Sequence, residues 1–246
     1  MSPPVVLITG AARRIGAEIT QTFHHEGFDI ALHYNHSAQE AKALAQSLNG
    51  IRKDSAATFQ ADLTNVPEVK SMAADVLQWR GKLNVLVNNA SSFYPTPLDS
   101  ASEEQWDALI NSNLKGPYFL CQSVAQKLRE SQGSVINIAD IYAKNPLKGY
   151  SIYCIAKAGN VMLTKSLAKE LAPEVRVNGI APGVILWPNT DNQMSDSIKR
   201  DVIKNVPLGR TGSPADIAQL ALFLATKDSY TTGQVIAVDG GSSLSS

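Results

Sequence analysis

Short runs of aliphatic and β-branched residues alternate with longer stretches of helical periodicity along the whole chain. The runs predict seven strands, at about 4–9, 28–33, 56–60, 83–88, 133–138, 174–180 and 234–238. The helical stretches lie near 14–26, 38–48, 66–80, 103–130, 151–171 and 213–225. Strands joined by helical crossovers form a parallel sheet with helices on both faces, and such sheets bind ligands at the carboxyl ends of their strands. We therefore predict an α/β fold, with a doubly wound, seven-stranded parallel sheet.

The composition is that of one domain without a strong overall charge. No proline-rich or charge-rich segment divides the 246 residues, so we expect a single domain over 1–246. Lysine plus arginine and aspartate plus glutamate number 22 each, which favours a small-molecule partner over nucleic acid or a membrane surface. The start of the chain has no signal-like segment, and we expect a cytoplasmic location. Cys121, Cys154 and the four histidines suggest neither a disulfide nor a metal site.

The first predicted strand runs into a glycine turn and the start of a helix. Gly10 follows the apolar run Val5–Ile8, and Arg13, Arg14 and Gly16 stand at the start of the predicted helix. Backbone N–H groups at a helix N-terminus bind anions, and glycine lets the backbone approach a phosphate closely. This segment therefore predicts a nucleotide phosphate site at the end of the first strand.

Tyr153 and Lys157 form a candidate acid–base pair on a predicted helix. Residues at i and i+4 lie on one helix face, so the ammonium can lie near the phenol and lower its pKa. A phenol with a lowered pKa can donate a proton near neutrality. Asp140 follows the fifth predicted strand and is expected at the same edge of the sheet. Taken alone, a Tyr-x-x-x-Lys pair has no catalytic role on many helices, and an Asp after a strand often caps a turn.

Taken in order, the motifs resemble those of the short-chain dehydrogenase/reductase family over essentially the whole chain. The matching positions are the glycine turn from Thr9 to Gly16, Asp62, Asn88-Asn89-Ala90, Asn113, Tyr153 with Lys157, and Pro182-Gly183. The resemblance implies a single-domain Rossmann fold and an NAD(P)-dependent oxidoreductase. It also implies a homotetramer in which the helices near 103–130 and 151–171 pack between subunits.

At two positions the chain departs from the family's usual pattern, and at both it is similar to pteridine reductases. Arg14 stands where the turn usually has its middle glycine, and Asp140 replaces the usual catalytic serine. The stretch 89–98 and Leu32-His33-Tyr34 are also similar to that subfamily. The resemblance therefore implies a pteridine reductase within the wider family.

This resemblance implies a pocket for a flat pterin ring. Phe93 would stack on one face of the ring, with the nicotinamide on the other. Ser91 would hydrogen-bond the pterin and a cofactor phosphate, Arg14 would bridge the pyrophosphate to the pterin carbonyl, and Tyr150 would line the same pocket. Asp140 and Tyr153 would complete the substrate site. The alternative for Phe93 is an ordinary loop aromatic packed on the core.

The resemblance implies four catalytic residues, Asp140, Tyr153, Lys157 and Asn113. A carboxyl within hydrogen-bond reach of Tyr153 would share its proton, while Lys157 supplies compensating charge. Asn113 would hold a water in a relay from Lys157 to solvent. Its alternative is a polar residue that bends its helix.

The segment after the second strand favours NADPH over NADH. NAD-specific sites of this shape place an acidic residue there, whereas positions 33–37 carry none and two arginines occupy the glycine turn. Ser37 would contact the phosphate, cap the helix that begins near Ala38, or do both. Asp62 would contact the adenine or simply form a turn, and related pteridine reductases have arginine in place of His36. The residues implied to bind NADPH are Gly10, Arg13, Arg14, Ile15, Gly16, His33, Tyr34, Asn35, His36, Ser37, Asp62, Leu63, Asn89, Ala90, Ser91, Tyr153, Lys157, Pro182 and Gly183.

Together these residues predict the reduction of a pterin C=N bond, with hydride from NADPH and a proton from Tyr153 or Asp140, directly or through water. Dihydropterin is the expected substrate, with oxidised pterin and dihydrofolate as further ones. A carbonyl reductase acting on a 3-oxoacyl thioester, a sugar or a steroid is the alternative, and Asp140 and Phe93 argue against it. An inactive nucleotide sensor on the same fold is disfavoured by Tyr153, Lys157 and Asn113. The irregular segment at about 184–206 predicts a substrate-binding loop or lid, or a plain surface loop.

Overall fold

The computed structural model describes residues 2–187 and 195–244 and confirms the α/β fold. Seven strands form one sheet in the order β3-β2-β1-β4-β5-β6-β7, and every neighbouring pair is parallel. The strands are β1 (Val5–Ile8), β2 (Asp29–Tyr34), β3 (Ala56–Gln60), β4 (Val85–Asn88), β5 (Ser134–Ile138), β6 (Arg176–Pro182) and β7 (Val235–Val238). Each strand lies close to its predicted position.

The helices cover both faces of the sheet. They are α1 (Arg14–His25), α2 (Ala38–Ile51), α3 (Val66–Arg80), α4 (Glu103–Ile110), α5 (Gly116–Glu130), α6 (Ser151–Leu171), α7 (Asp196–Lys204) and α8 (Pro214–Thr226). Of the expected loop or lid at about 184–206, the central stretch 188–194 lies outside the described residues. Within the described ranges, no helix has both the length and the apolar character needed to cross a membrane.

The buried residues form two apolar layers, one on each face of the sheet. One layer packs α3, α5 and α6 against the strands, and the other packs α1, α2 and α8. Every residue of the central strands β1, β4 and β5 is buried. Strands that are covered on both faces are largely apolar, which is why these runs were recognisable in the sequence.

The helix predicted near 103–130 is interrupted by a π-helical turn, Asn111–Lys115, between α4 and α5. Pro117 follows this turn and has no N–H, so it cannot donate to the carbonyl of Asn113 four residues earlier, and its ring crowds that carbonyl. A π turn accommodates such an interruption and is frequent at functional sites. The carbonyl of Asn113 is therefore freed from the regular α-helical bond to residue 117.

The parallel sheet brings the segments that follow β1, β4, β5 and β6 to one edge. The side chain of Asn89, after β4, donates to the carbonyl of Thr9, after β1, at 2.9 Å. The backbone N–H of Ala139, after β5, donates to the carbonyl of Ile180 in β6 at 2.7 Å. The predicted site residues lie along this edge.

Candidate active site

Asp140 and Tyr153 are joined by a short hydrogen bond. The Tyr153 hydroxyl donates to Oδ2 of Asp140 at 2.6 Å. The other carboxylate oxygen accepts the backbone N–H of Tyr142 at 2.9 Å, so Asp140 also caps the short 3-10 helix Ile141–Ala143. One oxygen of Asp140 therefore caps the turn, as the capping alternative predicts, and the other holds the phenol, which is the contact that the catalytic role requires.

The ammonium of Lys157 is buried on the same side of α6. Lys157 is 2% exposed, its Nζ donates to the carbonyl of Ile138 at 3.0 Å, and Nζ lies 5.6 Å from the centre of the Tyr153 ring. Burial lowers the pKa of Lys157 to about 8, and the charge of Asp140 acts against that lowering. Lys157 is thus cationic at neutral pH but close to its titration range.

The expectation that Lys157 lowers the pKa of Tyr153 is wrong for this protein without its cofactor. Burial raises the pKa of the phenol, and the negative charge and hydrogen bond of Asp140 raise it further, while the Ser91 hydroxyl acts in the opposite direction. Burial also raises the pKa of Asp140, against the bond that Tyr153 donates. An ionised phenol beside a carboxylate would place two negative charges in a poorly solvated site. Tyr153 is therefore held as a protonated donor.

Three aromatic rings form one wall of the site. The rings of Phe93 and Tyr150 are stacked, with centroids 4.6 Å apart and an angle of 14° between their planes. Tyr153 meets Phe93 edge to face at 4.8 Å. Phe93 is nevertheless 41% exposed, so it is not an ordinary core aromatic. Because Tyr150 covers one face of the Phe93 ring in this arrangement, a flat ligand has to stack on the other face.

A string of polar side chains leads from this wall to the π turn. The Ser91 hydroxyl donates to Oδ1 of Asn113 at 2.7 Å, and Nδ2 of Asn113 donates to the carbonyls of Ser92 and Leu109. The bond to Leu109, four residues earlier, is the back-bonding typical of a polar residue that bends a helix. Asn113 is therefore both the helix-bending residue and a neighbour of Ser91.

Asn160 belongs to this string, although sequence reasoning did not select it. Its Nδ2 donates to the backbone carbonyl of Asn113 at 3.2 Å, which is the carbonyl that Pro117 cannot pair. Asn160 is 2% exposed and lies three residues after Lys157, on the same side of α6. An amide at that spacing in a buried helix was the sequence signal for this contact.

The glycine turn has the close packing expected of a phosphate-binding loop. Gly10 has a φ of +61°, and a Cβ on Gly16 would lie 2.1 Å from the carbonyl oxygen of Gly10, so only glycine fits there. Arg14 has a φ of +55°, which explains why glycine is usual at its position. Its guanidinium donates to the carbonyls of Leu186 and Trp187, each at 3.2 Å. Arg14, which is expected to bridge the cofactor and the substrate, therefore also holds the start of the 184–206 loop.

The start of α1 fits the pyrophosphate of a dinucleotide. No side chain caps this helix, and its first turn has no acidic residue, so its N–H groups and positive dipole end remain available to an anion. Arg13 and Arg14 are both exposed beside it. Ile15 and Gly16 continue the same turn. The donor set of this chain thus suits a dinucleotide pyrophosphate.

The expected site of the adenosine 2′-phosphate combines cations with one acidic residue. His36 is exposed and Ser37 is half-buried. Ser37 occupies the N-cap position of α2, as the capping alternative predicts, but its side chain makes no capping bond. Arg13 lies 3.5 Å from Glu40 in the first turn of α2. Glu40 would repel a phosphate, so Arg13 both neutralises it and supplies a cation.

His33 and Asn89 brace the glycine turn from inside the fold. The His33 ring is buried, with Nδ1 accepting the N–H of Gly10 and Nε2 against the carbonyl of Ala61, so it offers no free ring nitrogen to a cofactor. Nδ2 of Asn89 donates to the carbonyls of Thr9 and Gly10. Both residues were predicted to bind the cofactor, and in this structure their side chains shape the turn that would bind it.

The remaining predicted cofactor residues line the same edge. Oδ1 of Asp62 accepts the N–H and hydroxyl of Thr64 at 2.9 and 2.8 Å, so the turn-forming alternative for Asp62 is observed. The side chain of Leu63 is buried in the core. The others occupy the ends of strands at this edge and are Tyr34, Asn35, Ala90, Pro182 and Gly183.

Comparison with known proteins identifies the family. A family model described as enoyl-(acyl carrier protein) reductase matches residues 10–243. Pteridine reductase 1 of Leishmania tarentolae is 38% identical over 98% of this chain and 96% of its own length. The 3-oxoacyl-(acyl-carrier-protein) reductase FabG of Staphylococcus aureus is 39% identical over 96% of both chains, and that of Chlamydia pneumoniae is 37% identical over 96% of this chain and 95% of its own. The chain belongs to the short-chain dehydrogenase/reductase family, whose reductases use NAD(P)H, and is an oxidoreductase.

The lowered pKa of Lys157 predicts a specific pH dependence of stability. Above pH 8 the folded protein loses the Lys157 proton, whereas the unfolded chain keeps it up to the ordinary lysine pKa of 10.5. Between pH 8 and about pH 9 the unfolded state therefore binds more protons, and the stability of the cofactor-free protein should rise by about 1 kcal/mol per pH unit from this group. Above pH 9 the buried Cys121, whose pKa is raised from 9.0 to about 12, acts in the opposite direction. Urea unfolding at several pH values measures this slope.

Lys157→Met should lose this contribution to the pH dependence of stability. Lys165 is an exposed lysine on the same helix, so Lys165→Met should keep it. Equal slopes in the wild type and Lys157→Met would show that the Lys157 pKa is not lowered by burial.

Proposed function

We propose that this protein is an NADPH-dependent pteridine reductase that reduces a dihydropterin to the tetrahydro form, with oxidised pterin and dihydrofolate as further substrates. The observation that carries the proposal is the 2.6 Å hydrogen bond from Tyr153 to Asp140, beside an exposed aromatic ring. A carboxyl next to the phenol adds a second group able to hold a proton, which suits the protonation of a ring nitrogen.

In the proposed reaction, bound NADPH supplies hydride to a carbon of the pterin C=N bond. Tyr153 donates the proton to the neighbouring nitrogen, directly or through water, and Asp140 holds or replaces that proton. Lys157 offsets the negative charge that remains on the pair, since its ammonium lies close to the phenol ring. Asn113 accepts a hydrogen bond from Ser91, and it would hold a water in the proton relay that runs from Lys157 to solvent.

The proposed pterin site uses the exposed face of the Phe93 ring. Stacking there would place the pterin near the Tyr153 hydroxyl, because Tyr153 meets Phe93 edge to face. Ser91 and the planar donors of Arg14 would hydrogen-bond the ring, and Tyr150 would support Phe93 from behind. Arg14 also holds Leu186 and Trp187, which supports a role for the 184–206 segment as the substrate loop.

Reduction of a 3-oxoacyl thioester is the second candidate function. It is favoured by the 39% identity to a 3-oxoacyl-(acyl-carrier-protein) reductase, which is as high as the identity to a pteridine reductase. The aspartate in the position of the family's usual serine and the Phe93–Tyr150 stack favour the pterin instead.

We also propose that the protein is a homotetramer. Large apolar side chains on α5 and α6 are exposed, namely Tyr118 (45%), Ile155 (50%) and Met162 (59%). Exposed apolar residues grouped on neighbouring helices are typical of subunit contacts.

Loss of the phenol should abolish most of the turnover. Tyr153→Phe removes the proposed proton donor and leaves Asp140 without the bond it accepts, so the rate of pterin reduction should fall by about a hundredfold or more. NADPH affinity, measured by fluorescence titration, should change little. Tyr230→Phe is the matched control, because Tyr230 is 99% exposed. Near-normal turnover in Tyr153→Phe would exclude the phenol as main donor.

The choice between pterin and thioester is tested by assaying both with NADPH. The wild type should oxidise NADPH far faster with a dihydropterin than with an acetoacetyl thioester. Asp140→Ser and Asp140→Asn should each lower pterin reduction by about tenfold or more while leaving NADPH affinity nearly unchanged, because the carboxyl serves the proton and not the nucleotide. Thioester reduction without detectable pterin reduction would establish the second candidate function.

The cofactor preference is tested at Arg13. Arg13→Ala should raise the KM for NADPH much more than the KM for NADH, because the guanidinium is expected to serve chiefly the extra phosphate, which NADH lacks. Glu40→Gln should have the opposite effect on NADPH, since it removes the carboxylate that Arg13 now neutralises. Equal changes for NADPH and NADH in Arg13→Ala would rule out its phosphate role.

A further inference from the structure

The ring of His33 joins the glycine turn to the end of β3. His33 is 1% exposed. Its Nδ1 accepts the backbone N–H of Gly10 at 3.1 Å, and its Nε2 lies 3.0 Å from the carbonyl oxygen of Ala61. The carbonyl of His33 also accepts the N–H of Ala11 at 2.9 Å. One residue thus holds two consecutive amides of the turn.

These contacts determine the protonation state of the ring. A backbone N–H can only donate, so the Nδ1 that faces Gly10 must carry no hydrogen. A carbonyl can only accept, so the Nε2 that faces Ala61 must carry one. A doubly protonated ring would set an N–H of His33 against the N–H of Gly10 and leave that buried amide without an acceptor.

The position of Gly10 makes this bond important for the cofactor site. Gly10 has a left-handed φ, and an added Cβ would meet the Cα of Ala90 at 3.0 Å, so the turn is closely packed against the segment after β4. The carbonyl of Gly10 is held by Asn89 at 3.1 Å, and its N–H by His33. The turn leads directly into the start of α1, where a pyrophosphate would lie.

We propose that neutral His33 is a positioning residue for the dinucleotide: it holds the glycine turn in its binding shape, and loss of the acceptor at Nδ1 weakens cofactor binding although the ring does not touch the cofactor. The proposal rests on the cofactor use of the family and not on the choice of pterin as substrate. It therefore can stand or fail separately from the proposed reaction.

The surroundings of the ring support its neutral form at physiological pH. Burial lowers the pKa of His33, whereas the bond to the Ala61 carbonyl and the charge of Asp62 act to raise it. From the segment after β3, the charge acting on the ring is that of Asp62, and the glycine turn presents the backbone of Gly10. Because the folded pKa lies below 6.5, the turn is intact at neutral pH and is lost progressively as the pH falls through that pKa.

Two substitutions separate the two ring contacts. Asn places a carbonyl oxygen near the position of Nδ1, so His33→Asn keeps an acceptor for Gly10 that cannot titrate. Gln places its amide near the position of Nε2, so His33→Gln keeps a donor for Ala61 and loses the acceptor for Gly10. The dissociation constant for NADP⁺, which tolerates acid, is then measured by calorimetry between about pH 5 and pH 8.

At neutral pH, His33→Asn should bind NADP⁺ nearly as well as the wild type, and His33→Gln should bind about tenfold more weakly or worse. The wild type should lose affinity on acidification more steeply than His33→Asn. Titration of the ligand phosphate is common to both proteins and cancels in that comparison.

Equal affinities and equal pH slopes in all three proteins would overturn the proposal. If His33→Gln does not fold, the slopes of the wild type and His33→Asn still decide, and parallel slopes would reject the role of His33. Normal NADP⁺ results without pterin reduction would refute only the proposed reaction.

Discussion

The ammonium of Lys157 is removed almost entirely from water, and the electrostatics of the candidate active site depend on this constraint. Lys157 is 2% exposed, and its one hydrogen bond to the Ile138 carbonyl does not replace full hydration. The charge of Asp140 supplies part of the missing stabilisation, since it acts against the lowering of the Lys157 pKa. A serine at position 140 would contribute no charge there. Asp140 and Lys157 are therefore one electrostatic unit, and either residue without the other would leave a poorly solvated charge.

The same carboxylate determines the state of Tyr153. A phenol that faces only a cation would ionise more readily, but here Asp140 accepts its hydrogen bond and opposes its ionisation. The proton is thus stored on the phenol, and the carboxylate is the group next to it that can exchange one. The raised pKa also makes the phenol a weaker acid, so donation of this proton would require the Tyr153 pKa to fall again when the charges in the site change.

Each feature of the sequence predicted only the property of the structure that it reports. The strands were predictable because apolar runs report burial directly, and the motif residues fall at one edge because the sheet is parallel. The π turn was missed because periodicity does not change there, although Pro117 marks it. The spacing of Tyr153 and Lys157 predicted their proximity correctly, yet the direction of the Tyr153 pKa shift was wrong, because spacing carries no information on burial or on the bond to Asp140.

Residues with two possible roles were the hardest to predict. His33 and Asn89 stand among residues expected to bind the cofactor, but their side chains bond to the backbone of the glycine turn. A motif shows where such residues lie in the sequence. It does not show whether their side chains contact the ligand or the protein's own backbone. Asn160 belongs to none of the motifs; its spacing from Lys157 is the one sequence signal for it, and the freed carbonyl of Asn113 shows what its amide contacts. Contacts to backbone groups depend on local geometry that residue identity does not encode.

Nearly equal identity to two kinds of reductase is what a shared scaffold should produce. Identity over a whole chain is dominated by the sheet and the helices that cover it, which serve any substrate of this family. Substrate choice depends on the few side chains at the carboxyl edge. There, this chain combines an acid bonded to the phenol with an exposed Phe93 backed by Tyr150. A flexible acyl chain gains little from a flat aromatic face, whereas a planar heterocycle gains stacking and a proton source together. The chemistry of this edge, rather than overall identity, therefore supports the proposed pterin substrate.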